Sequence, residues 1–115
     1  MTPPADKSMK KRLRKLAAIA HERELAAALK ELHAGFADWQ AGRIDSFELS
    51  DRIHAFHQET AREIWKMYLP DTPPGMQIAR AMALGFLTEE EAGRDLAEEL
   101  RPLIDLWKDG SEDFG

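Results

Sequence analysis

Four histidines, His21, His33, His54 and His57, are the side chains of this sequence that ordinarily titrate near neutral pH, so acid–base or metal chemistry would start from them. His54 and His57 stand three apart on what reads as one helix, and Asp51 lies three further back. The three share a face and could converge on one ion. Helical zinc motifs, however, set two histidines four apart around a glutamate, or pair Glu-x-x-His motifs on facing helices. Neither pattern is present. His54 and His57 also lie beside Phe56, Trp65 and Tyr68 on a broad apolar arc, so packing in a core is their expected role. No metal or other cofactor is expected, with Asp51, His54 and His57 the candidates should one bind.

Other catalytic classes find little material. The absence of cysteine removes thiolate catalysis, disulfides and every Cys-containing zinc or iron–sulfur site. No glycine falls in a G-x-x-x-x-G-K or G-x-G-x-x-G phosphate loop. Of the four serines, Ser8, Ser46, Ser50 and Ser111, two lie at or near a helix cap, which leaves little for a Ser-His-Asp triad. Arg52 and His57 form Arg-x4-His, and Arg14 with His21 forms Arg-x6-His. These spacings resemble the Arg/His pairs of HEPN domains, helical-bundle ribonucleases of similar length in which the two side chains act together on RNA phosphate. The resemblance rests on two residues and implies a metal-independent ribonuclease with Arg52 and His57 as its catalytic pair. It departs from the family in position, because Arg52 and His57 lie mid-chain whereas the family's motif opens a late helix.

Charge is distributed unevenly. The net −5 of the 115 residues divides into +5 over residues 1–15, where six Lys or Arg face Asp6 alone, and −10 over the remainder. Lys10, Lys11 and Arg12 lie in that basic head and give it a weak, salt-sensitive affinity for nucleic acid, although no aromatic residue is interleaved for base stacking. The stretch 77–96 suggests a helix-turn-helix, but its second helix would open on Glu89-Glu90-Glu91 and repel phosphates. Leu16-Ala17-Ala18-Ile19-Ala20 is too short for the apolar core of a secretory signal, for which roughly 7–15 residues are needed. A cytoplasmic location and no membrane association are therefore expected.

The elements that must position these residues are helical throughout. Periodicity and cap signals predict an all-α bundle: a long antiparallel hairpin of helices over about 7–41 and 45–69, with helices over about 74–84 and 88–108 packed across it. Residues 1–6 are expected to be disordered, 7–108 to form one domain, and 109–115 to be a flexible acidic tail. Asp45-Ser46-Phe47-Glu48 and Thr88-Glu89-Glu90-Glu91 fit capping boxes, and Gly42 and Gly85 fit helix stops. Pro102 should kink the last helix or restart it. Along the first helix, Leu13, Leu16, Ala17 and Ala20 form one apolar stripe. Leu25, Leu29, Leu32, Phe36 and Trp39 form another, roughly 110° away at 100° per residue. A straight helix cannot aim both at one groove, so a bend near His21–Glu22 or two packing surfaces is required. The second helix carries two apolar arcs and reads as central, and Trp39, Trp65 and Trp107 read as core anchors.

A 24-residue second helix cannot cover the whole of the first, so the basic segment 7–20 should overhang the hairpin. Leu13, Leu16 and Ile19 would then need either the acidic last helix or another molecule. The leading expectation is a non-enzymatic helical interaction or regulatory module of bacterial type, a homodimer or the small subunit of a complex. Its contact residues would be Leu13, Leu16, Ile19, Lys10, Lys11 and Arg12. The HEPN-like ribonuclease and the weak nucleic-acid binder stand as alternatives.

Overall fold

The computed structural model describes residues 7–114, and these are all-α: no strand occurs among them. The residues read as a disordered start, 1–6, lie outside the described range. The order is α1 (Lys7–Gln40), α2 (Ser46–Ala55), a π-helical turn (Phe56–Thr60), α3 (Ala61–Met67), α4 (Pro74–Leu84), α5 (Glu89–Ala92) and α6 (Arg94–Phe114).

The caps explain most boundaries. α1 ends in a Schellman motif: Gly42 takes φ +79°, its N–H donates to the Trp39 carbonyl, and the Arg43 N–H reaches back to Asp38. α2 opens on Asp45, whose carboxylate accepts from the Glu48 N–H at 2.8 Å. α4 starts with Pro74 at its first turn and closes on Gly85 (φ +89°), again with paired returns to Ala81 and Met82. At Thr88 the capping box is complete, hydroxyl to the Glu91 N–H and the Glu91 carboxylate to the Thr88 N–H, with Leu87 and Ala92 buried behind it.

The described residues group into two compact units, residues 7–20 with 70–114, and residues 21–69. Each has its own character. The first unit packs α4, α5 and α6 with the opening turns of α1. It buries Leu16, Ala17, Ala20, Ile78, Ala81, Leu96, Leu100 and Ile104, together with several small residues. The segment 7–20 thus groups with the acidic C-terminal region and not with the hairpin, and Leu16 is buried there. The second unit is the hairpin of α1 from His21 onward with α2, the π turn and α3. It buries only Leu49 and Ile64 among its apolar side chains. The stripe change at His21–Glu22 coincides with the boundary at 20/21: one helix serves two packing surfaces.

Four further expectations are corrected. The second helix is not one regular α-helix over 45–69: a π turn interrupts it at 56–60, and α3 ends at Met67. Nor is it central: of its two apolar arcs only Leu49 and Ile64 are buried, and Phe47, Ile53 and Trp65 are exposed. The last helix breaks at Gly93 (φ +99°), which caps α5, and Pro102 sits inside α6 without ending it. A proline removes one hydrogen bond, whereas a residue in the left-handed region turns the chain itself. α6 continues as helix to Phe114, beyond the end expected at 108.

Candidate functional site

The hairpin of the second unit is fixed at both ends by polar contacts. Near the turn, the Trp39 indole N–H donates to Ser46 Oγ at 3.0 Å, and Arg43 Nε donates to Asp38 at 2.9 Å. Arg52 reaches Asp38 at 3.7 Å and Glu48 at 3.6 Å. At the open end, the Tyr68 hydroxyl donates to Glu24 Oε1 at 2.9 Å, and the His21 ring stacks on Tyr68 with centroids 4.5 Å apart. Glu24 is buried there, and its pairing with Tyr68 supplies the hydrogen bonding that a buried carboxylate requires. Between these ends Gly35 faces the side chains of Leu49 and Arg52.

Among what the clasps leave in solvent are several large apolar side chains. Leu29 is 46% exposed, Phe36 38%, Ile53 40% and Trp65 58%. Leu29 and Phe36, seven residues apart, share one row of α1. Ile53 and Trp65 are twelve apart, which in a regular α-helix separates them by about 120°. The π turn between them accommodates one extra residue and removes about 100° of that difference, so both lie on one row. Two shallow depressions flank the turn. One, of about 310 Å³, is lined by Ala28, Leu32, Arg52 and Phe56 among others, and the other, of about 370 Å³, by His57, Ala61, Arg62 and Trp65 among others.

The histidine and arginine candidates fare differently from expectation. His54 and His57 are exposed, so their expected packing role is overturned. Asp51 is exposed as well, and among the described residues no group of three or more His, Asp or Glu is placed to hold a metal ion. Arg52 lines the first depression and His57 the second. Trp39 and Trp65 are surface residues rather than core anchors, while Trp107 is half-buried with the Arg80 guanidinium 6.0 Å from its ring.

The contact residues expected on the basic segment lie in the first unit. Leu16 is buried, Leu13 and Ile19 are half-buried, and Lys10 and Lys11 are exposed. Arg12 is committed internally. Its guanidinium binds both oxygens of Asp95, at 3.1 and 3.3 Å, and donates to the Ala92 carbonyl at the end of α5. The hydrogen bond from Arg12 holds the Asp95 carboxyl below the usual carboxylate range, helped by the Leu96 N–H, and the same pairing raises Arg12. A similar bond from Arg101 to Glu89 ties α6 to α5 and raises Arg101.

Sequence reasoning did not anticipate the exposed apolar side chains of the hairpin. The signal that could have found them was present: two apolar arcs on a helix with too few other elements to cover both. No helix among the described residues is long and apolar enough to cross a membrane. No family model, curated protein or solved structure matches the chain.

Proposed function

We propose that this chain is a non-enzymatic helical interaction module whose docking surface is the exposed apolar face of the hairpin 21–69. One observation carries the reading: a 49-residue unit buries only Leu49 and Ile64 among its apolar side chains while Leu29, Phe36, Ile53 and Trp65 stand open. Two helices alone cannot enclose a core, and a bundle ordinarily completes itself with further helices. Single exposed apolar residues are ordinary on a protein surface, but a contiguous apolar patch marks a contact site.

The placement of the catalytic candidates favours binding over catalysis. Arg52 is engaged by Asp38 and Glu48, and His57 opens onto a different depression. The test is a benzophenone-bearing residue in place of Leu29, irradiated in living cells. A covalent adduct with a protein, absent when the probe replaces exposed Lys30 beside it, is the expected result. If no adduct forms at Leu29, Phe36 or Trp65, the reading fails. It also fails if the purified chain cleaves RNA and His57→Ala abolishes the cleavage.

A further inference from the structure

The docking reading leaves open what covers the face, and resting on that reading we infer that the occupant is the same face of a second copy, two hairpins closing into a four-helix bundle. Three observations select a copy of this chain. The first is charge. In a sequence that is 32% Asp, Glu, Lys and Arg, the row Leu25, Leu29, Leu32, Phe36 and the row Ile53, His57, Ala61, Trp65 contain none of the four. Residues 21–69 together carry nine acidic and six basic side chains, so two copies meet across an uncharged strip with little net repulsion.

The second observation is size. At roughly 200 Å² for a large apolar side chain, the exposed parts of Leu29, Phe36, Trp39, Ile53 and Trp65 offer about 400–500 Å². That is about the apolar half of the ~800 Å² per partner in a stable interface, with a polar rim supplying the rest. The third is geometry. Counted from the residues that face the other helix (Ala28 and Gly35 on α1, Leu49 and Ile64 on the return), both rows turn to the same side of the antiparallel hairpin. A two-helix layer with one apolar side is half of a four-helix bundle, and a two-fold axis completes it with no other component. The π turn is the device that makes this layer flat-sided, because without it Trp65 would leave the row of Ile53.

The experiment uses the full chain, whose lack of cysteine makes any introduced thiol unique. Sedimentation equilibrium should give twice 13.0 kDa. Trp65→Ser, Leu29→Ser and deletion of Gln58, which removes the extra residue of the π turn, should each weaken the dimer by about tenfold or more. Circular dichroism should show unchanged helix content in the two serine variants. A bis-maleimide should couple two copies of Leu29→Cys faster than two copies of Leu106→Cys, since Leu106 is 64% exposed but lies outside the hairpin. A dimer insensitive to both serine variants, or equal coupling at positions 29 and 106, overturns the inference. A monomer at every concentration overturns it as well. In that case a benzophenone adduct from position 29 to a different protein leaves the docking reading standing, and no adduct at all removes both.

Discussion

At the residue scale, the clearest chemistry is that of Arg12, Asp95 and Gly93. Arg12 bonds across 83 positions to Asp95 and to the Ala92 carbonyl, and Gly93 lies between the last two with φ +99°. A Cβ at Gly93 would run into the Arg12 guanidinium and force an L-residue into the left-handed region. Gly93→Ala should therefore destabilise the chain by about 1–3 kcal/mol, measured by urea unfolding. The lowered Asp95 carboxyl has a definite consequence with pH. A carboxyl held below its unfolded value contributes stability that is present above that value, 3.8, and is lost as the pH falls through the lowered folded value. Asp95→Asn should accordingly be less stable than the parent at neutral pH, and the difference should shrink as the pH falls through the lowered folded value. Asp45, Thr88, Gly42 and Gly85 were legible in the sequence because a cap is a local contract between neighbours. Gly93 was not, since the signal for its break depends on a guanidinium 81 positions earlier.

The element scale belongs to the hairpin and its irregular second arm. α1 meets the return helix at Gly35, and a methyl added there would sit 3.5–3.7 Å from Arg52 and Leu49, an ordinary contact distance. Since glycine inside a helix is less favourable than alanine by about 0.5–1 kcal/mol, Gly35→Ala should stabilise the chain by up to that amount, read as a raised thermal midpoint. Helix existence, starts and stops along 45–69 could be read from propensity and punctuation. The π turn could not. Phe56-His57-Gln58-Glu59-Thr60 contains no breaker, and an inserted residue is set by which side chains find contacts, not by the preference of the segment. The exposure of His54, His57 and Trp65 was hidden for the related reason that periodicity shows which residues share a face but not whether anything covers it.

For the whole molecule, the decisive fact is how unequally burial is shared. The first unit holds nearly all the buried apolar residues, including Ile78 and Ile104, both essentially sealed from solvent. Truncating Ile104 to alanine should destabilise the chain by about 2–5 kcal/mol, whereas Phe36→Ser or Trp65→Ser should change the stability of the dilute chain by less than about 0.5 kcal/mol. Hydrogen exchange should follow the same division, with α4, α6 and the opening turns of α1 protected well beyond α2 and α3. The all-α class and the change of stripe at His21–Glu22 were visible from hydrophobic spacing. The division into two units was not, because the same stripe change is satisfied by a bend or by two surfaces, and only tertiary contacts choose.

The bond between Arg12 and Asp95 also sets an order of events during synthesis. Leu16, Ala17 and Ala20 leave the ribosome early, but the residues that cover them follow Pro74, and Arg12 has no clasp until Asp95 emerges. At about 5–20 residues per second that wait is roughly 4–17 s. In the interval the hairpin 21–69, whose contacts are all closer in sequence, can already close. The nascent chain therefore waits with the basic amphipathic segment 7–20 open until α6 has emerged.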